Sequence, residues 1–336
     1  MPPIQPNIDA YGTYARASAL ADYLEFRALL GDPLGRPALE DMIADRWERK
    51  ANELFVEGTG GPDGWQSTTE EAELDPEADL EGDPTLDDDA ATQLGRRVFD
   101  LLSERSRLLE DVYPFDLDDN SVVVRDGVDN FASMYVAILA VTLAHAYKVA
   151  VTDDGGVTID VKRVLEHTVT RVLHLISPPA VNVGEISRVS GSQFPETIRS
   201  AAKAAGLKAS PLIATFKKAA NEEGVDVLAH LPLGDLRTGV WTFLGQVTCA
   251  ESDTWEGKIA EPKEALWKAR LNTGVDPQCF LAVPHHVEPT HLGHLVAGSK
   301  RVVLDRLRLA HANLSPSVDE QRIISAVLAT GAEQLA

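Results

Sequence analysis

The chain has 336 residues, 44% of them hydrophobic, and carries a net charge of −21. That length predicts two domains, or one large one with insertions, and the apolar content is enough for a sizeable core. The charge excludes a protein that coats nucleic acid or anionic membranes by bulk attraction, leaving only a local basic groove for such contacts. Its two cysteines, Cys249 and Cys279, form no CxxC and lie in apolar runs. With no secretory signal at the N-terminus, a reducing cytoplasmic setting is the expectation.

The spacing of apolar residues predicts two helices over residues 15–56, broken by DPLGRP, with Leu39, Met42, Ile43, Trp47 and Leu54 along the second. From Ala51 to Gly95 there is no lysine or arginine, and acids accumulate through EEAELDPEADLEGDPTLDDD. Residues 58–90 therefore read as a solvated, mobile insertion that is poorly ordered without a partner. A DNA mimic or a docking tail for a basic partner is the sharper reading of the same acids. A helix resumes near Asp89, read as its N-cap, and runs through DVY. YPFDLDDNSVVVRD then gives a turn and a short strand.

The segment Phe131–Tyr147, FASMYVAILAVTLAHAY, is apolar over 17 residues. That is short for a membrane span, and no basic flank follows beyond Lys148, so it reads as a helix at the centre of a core. A helix over 160–177 follows, with Val161, Leu165, Val169, Val172 and Leu173 on one side and a sharp end at Pro178. FPETIRSAAKAAGL and SPLIATFKKAANEEG read as two more helices, each closed by glycine. After Gly224 the pattern becomes mixed. VDVLAHL and VWTFLGQVTCA are strands of a hairpin, and WEGKIAEPKEALWKARL is a helix. QCFLAVPHH is a strand, THLGHLVAG a short helix, RVVLDRL a strand and SVDEQRIISAVLATGA a final helix.

The hairpin carries two polar residues where apolar ones are expected, Asp226 and Gln246. An acid facing an amide on the next strand provides oxygen donors for a hard cation such as Mg²⁺, with room for a phosphate and a water. The plainer alternatives are a strand-end acid bonded to backbone and a buried amide closing an internal network. Four histidines, His285, His286, His291 and His294, include an HxxH turn, but no acid or cysteine completes a zinc spacing, and contact with phosphate is the other reading. Lys258, Lys263, Lys268, Arg270, Lys300, Arg301, Arg306 and Arg308 concentrate basic charge in the last third. That asymmetry is what a nucleic-acid face needs, and equally what a solvated helix face displays. Phosphate-loop, serine-hydrolase and dinucleotide motifs are absent from the sequence.

GVDVLAH and FLGQVTCAESDTWEGK, with the order α, β, β, α, β over residues 160–305, resemble the PD-(D/E)xK nuclease superfamily and, within it, a restriction- and anti-phage-associated subgroup. The resemblance covers about the last 180 residues. It implies an α/β fold: an N-terminal mostly helical domain, 1–155, followed by a restriction-endonuclease-like mixed-sheet domain, 156–336. It further implies a Mg²⁺-dependent DNA endonuclease with Asp226, Gln246 and the helix carboxylate Glu166 on the metal. Thr248 stands where the family places a lysine, and Lys258 is the expected substitute. DNA is the implied partner, with a protein partner in a defence complex as a further expectation, no membrane, and oligomerisation left open. A catalytically degenerate subunit of the same fold, binding DNA or a protein in a larger assembly, is the second reading. A protein-interaction module docking through the acidic insertion is the third.

Overall fold

In the computed structural model the described residues are 13–57, 87–118, 120–191, 195–211, 213, 224–234, 237 and 239–335. Most of the acidic insertion and most of the expected helix SPLIATFKKAANEEG lie outside them. Three long helices open the chain: α1 Thr13–Leu29, α2 Arg36–Glu57 and α3 Asp87–Leu109. The last begins two residues before Asp89, so Asp89 sits inside the helix. A small antiparallel hairpin follows, β1 Phe115–Leu117 and β2 Val122–Val124, where only one short strand is predicted.

Helix α4, Met134–Ala146, lies in the apolar segment, and every residue from Met134 to Ala144 is buried. Ser133 caps it by accepting from Val136 N. Its uniform apolarity reflects burial on all sides, and no described helix is long and apolar enough to cross a membrane. Helix α5, Val161–Ile176, is capped by Asp160, whose side chain accepts from Lys162 N and Arg163 N.

The C-terminal half is built on a five-stranded mixed sheet. Its strands are β3 Ala180–Asn182, β4 Val227–His230, β5 Thr242–Val247, β6 Gln278–Ala282 and β7 Val302–Leu304, in spatial order 3-4-5-6-7. β3, β4 and β5 form an antiparallel meander, whereas β6 and β7 run parallel to β5. Helices α6 Val183–Ser190 and α7 Glu196–Ala204 lie between β3 and β4. The stretch 255–271, expected as one helix, is two: α8 Trp255–Ile259 and α9 Glu264–Leu271. Pro262 falls between them, and proline interrupts the ladder of a continuous helix. Three further helices complete the chain: α10 Pro289–Ser299, α11 Arg306–Ala310 and α12 Val318–Leu335.

Strand alternation divides the sheet between two cores. Val227, Ala229, Phe243, Val247, Phe280 and Ala282 face the large core that contains α4, α5 and α12. Leu228, Leu244 and Cys279 face α7 and α9, and Leu281 and Val303 face α8 and α10. Covering both faces explains why these strands read as continuous apolar runs. Gly245 is required in β5, because a Cβ there would overlap the Phe280 ring of β6.

The large core runs without interruption from Ala17 in α1 to Val327 in α12, across residue 155. A buried ion network reinforces that continuity. Arg306 pairs with Asp22 through two contacts of 2.7 Å, and Arg105 reaches Asp22 at 2.8 Å and Glu25 at 2.9 Å. The hydroxyls of Tyr113 and Tyr135 donate to Glu25 at 2.6 and 2.8 Å. Burial raises the Asp22 carboxyl, and the Arg306 and Arg105 guanidiniums outweigh it, holding it at about 2.

Candidate functional site

Asp226 stands immediately before β4. Its N–H donates to Gly245 O at 2.8 Å and its carbonyl accepts from Val183 N at 2.8 Å. The ladder pairs Val227 with Gly245. The ladder ends at that pair, and Asp226 shares Gly245 O as its backbone acceptor. The Asp226 side chain also continues the ladder, because its Oδ2 accepts from Val247 N at 2.7 Å. The backbone-bonded role expected of a strand-end acid is thus present at one oxygen, while the other oxygen faces α5.

Across that gap, Lys162 Nζ lies 3.9 Å from Asp226 Oδ1 and 3.7 Å from Glu166 Oε1. The helical repeat explains half of this arrangement. Lys162 and Glu166 are four residues apart on α5 and share one face. The hairpin end supplies the other half by projecting Asp226 toward that face. Glu166 is buried to 7% side-chain exposure, whereas Lys162 retains 46%. Glu166 Oε2 accepts from Asn182 Nδ2 at 3.1 Å, and Arg188 Nη2 stands 3.7 Å away. Asn182 in turn caps α6 by accepting from Glu185 N at 2.7 Å. Two carboxylates are therefore oriented by strand, cap and helix around one solvent-reachable ammonium.

Gln246 is 4% exposed, and its Oε1 has no hydrogen-bond partner. Its only described hydrogen bond is a long one from Nε2 to Val247 O, at 3.4 Å. The amide does not close an internal network, and an unsatisfied buried acceptor costs roughly 1–3 kcal/mol. Alternation turns Gln246 to the same side as Leu244, toward α8 and α9, while Glu166 and Lys162 approach from the α5 side. Gln246 is therefore not placed between the two carboxylates.

Lys258 is engaged elsewhere. On α8 its Nζ pairs with Glu261 Oε1 at 2.6 Å, and Glu261 packs against Gly224, whose φ of +69° admits this close approach. Thr248, at the position expected to hold a lysine, is buried and accepts from Ala250 N at 3.1 Å. The ammonium at the two carboxylates comes instead from Lys162, which the sequence reading did not single out. Its signal was the spacing in KRVLE: a lysine one helical turn before the candidate acid.

The basic residues of the last third do not form a common face. Arg270 and Arg306 are buried, Lys268 pairs with Asp276 at 2.9 Å, and Arg301 pairs with Glu264. Exposed cations gather instead around the carboxylate centre. Lys162, Arg163 and Arg188 keep 46%, 43% and 43% of their side chains exposed. Arg163 and Arg188 converge on Glu185 at 2.6 and 3.2 Å. Burial raises the Glu185 carboxyl, but these two arginines outweigh it and leave its pKa below the ordinary value.

His285, His286 and His291 line a cavity. Among the described residues no group of three histidines, cysteines or acids is arranged to hold a metal ion. Burial lowers His285 to about 4, and lowers His286 and His291 as well. Burial pushes both thiols, Cys249 and Cys279, up to about 12, so neither is poised as a nucleophile.

Fold and centre together define a mixed α/β protein with a paired-carboxylate and lysine site between α5 and the start of β4. The chain matches no protein-family model, no curated protein and no solved structure.

Proposed function

We propose that the chain is a Mg²⁺-dependent phosphodiester-cleaving protein acting on DNA in the cytoplasm, of the PD-(D/E)xK kind and with a role in restriction or phage defence. The observation that carries this reading is the single ammonium within 4 Å of both Asp226 and Glu166. A position that holds one cation between two oriented carboxylates suits a hard divalent ion, which takes oxygen donors. Asp226 and Glu166 would hold Mg²⁺, while Gln246, the third expected ligand, turns to the other face of the sheet. When bound, the metal supplies Lewis-acid polarisation of a phosphoryl oxygen and a more acidic water.

The chain's own residues supply the rest. Val247 N–H fixes the Asp226 carboxylate, and Asn182 and Arg188 fix Glu166. Lys162, exposed and anchored on α5, reaches a phosphate that approaches the pair and offsets charge that develops on it. Arg163 and Arg188 on the adjoining rim contact the flanking backbone, a local basic surface on an otherwise acidic chain. The test is incubation of the full chain with duplex and single-stranded DNA and Mg²⁺ or Mn²⁺. Cleavage by the wild type that is lost in Asp226→Ala and Glu166→Gln supports the reading. Wild-type protein that leaves every DNA intact contradicts it.

The same ammonium also favours a second reading. A lysine that already neutralises both carboxylates does what the metal would do, and a centre kept in that state is a degenerate nuclease site in a subunit that binds DNA. Salt-sensitive DNA retention without cleavage, weakened by Arg163→Ala and Arg188→Ala, is the outcome that selects it.

A further inference from the structure

Three basic side chains converge on one oxygen of Glu185. Arg163 Nη2 stands 2.6 Å, Arg188 Nη2 3.2 Å and His167 Nε2 3.6 Å from its Oε2. Two helices supply them. Arg163 and His167 lie one turn apart on α5, and Glu185 and Arg188 do the same on α6. Asn182, the cap of α6, fixes the first turn by accepting from Glu185 N at 2.7 Å. The side chains of Arg163, His167 and Arg188 are 43%, 47% and 43% exposed, and that of Glu185 is 23% exposed. Ion pairs this open to water contribute little to stability, so the carboxylate is readily exchanged for another anion.

The cluster is joined to the carboxylate centre by Arg188, whose Nη2 also lies 3.7 Å from Glu166 Oε2. Across the combined surface Lys162, Arg163 and Arg188 face Asp226, Glu166 and Glu185, three cations against three carboxylates. The resting surface thus neutralises itself, on a chain of net charge −21, and has little net pull on a polyanion. Moving the Glu185 carboxylate aside frees two guanidiniums, whose forked donors match phosphate oxygens. A phosphate group can give Arg163 and Arg188 separate oxygens, where Glu185 crowds both on one.

We infer that Arg163 and Arg188, with His167 beside them, form a seat for one phosphate group. Glu185 occupies that seat in the resting chain as an internal stand-in, an autoinhibitory contact that an incoming phosphate displaces. The phosphate belongs either to a DNA strand or to a free phosphate ion. The inference rests on the DNA-cleaving reading for the strand as a source, while the seat itself is defined by its basic side chains and needs neither metal nor cleavage.

The test is titration of the full chain in EDTA, where no metal-dependent cleavage occurs, with a short DNA duplex and separately with inorganic phosphate. Glu185→Gln keeps the side-chain volume and removes the charge; Glu185→Ala replaces it if the circular dichroism of Glu185→Gln departs from that of the wild type. The variant is expected to bind about tenfold tighter than the wild type near 0.1 M salt, with a steeper fall as salt rises, the effect of roughly one added phosphate contact. Asp276→Asn removes an equal charge from the Lys268 pair at the opposite end of the sheet. It should stay within about twofold of the wild type, because charges beyond about 10 Å are screened at that salt. Arg163→Gln or Arg188→Gln, added to Glu185→Gln, should return affinity to the wild-type level. A gain for the duplex that exceeds the gain for phosphate assigns the group to a strand, and a gain for phosphate that the duplex does not share assigns it to a free ion. A folded Glu185 variant that binds neither ligand more tightly than Asp276→Asn does, or a gain that both arginine substitutions leave intact, overturns the inference. Cleavage with Mg²⁺, assayed separately, reports on the carboxylate centre alone.

Discussion

At the scale of single residues, Lys162 and Lys258 are the informative pair. Lys162 stands within 4 Å of Asp226 and Glu166, while Lys258 is spent on Glu261. Loss of a preorganised cation beside a reacting phosphate slows cleavage by about a hundred- to thousand-fold. Lys162→Met is expected to show that loss in kcat, and Lys258→Ala to stay within about twofold of the wild type. The reverse pattern would move the catalytic cation back to α8. Gln246 makes a different prediction. Its buried Oε1 lacks a partner, so Gln246→Leu, which removes the unsatisfied acceptor at similar volume, should raise stability by about 1 kcal/mol. A denaturant midpoint that falls instead would show that the amide holds the strand end together. A polar group kept at a cost to stability marks a position with another task.

At the scale of elements, the ion network joining α1, α3 and α11 sets the acid limb of stability. Asp22 is held at about 2 in the folded protein against an ordinary value of 3.8. A depressed carboxyl contributes stability that is fully present above the unfolded value and is lost as pH falls through the folded one. Asp22 alone should therefore remove on the order of 2 kcal/mol between pH 4 and pH 2. Asp22→Asn should be less stable at pH 7 and show a shallower loss in that window. Equal slopes in urea titrations of the two proteins would contradict this. Elements also divide what the sequence revealed from what it concealed. The long periodic helices, the apolar α4 and the β4–β5 hairpin were legible because burial imprints its period on the residues. Strand β3 was not, since three residues, Ala180–Asn182, squeezed between Pro179 and a helix carry no period. The break between α8 and α9 was announced by Pro262 and overlooked. Asp226 and Gln246 stood out as polar residues in apolar strands, whereas Glu166 was named only through the resemblance to the nuclease superfamily. The partnership of Lys162 depends on how α5 lies against the hairpin end, which only the fold supplies.

For the whole molecule, the continuous core is the governing feature. Helix α5 packs on the sheet, α4 from the N-terminal half packs on α5 and α11, and α12 returns from the C-terminus to pack along α4. A fragment of residues 156–336 would expose the apolar surfaces of α5, α11 and α12 that α4 covers and strand Arg306 without Asp22. Breaking a buried pair by removing one partner costs about 3–5 kcal/mol. The fragment should thus be aggregated or lack a cooperative thermal transition, whereas the full chain should keep one. A fragment that melts cooperatively at the temperature of the full chain would show that the C-terminal half is autonomous.

The central claim is that Asp226 and Glu166 form a divalent-cation centre whose lysine, Lys162, serves the phosphate. The most direct measurement is anomalous diffraction from crystals of the wild type equilibrated with Mn²⁺. The account predicts a peak bound by the Asp226 and Glu166 carboxylates, with the Lys162 ammonium displaced from between them. Absence of any peak there at saturating Mn²⁺, with Lys162 still bridging both carboxylates, would contradict it.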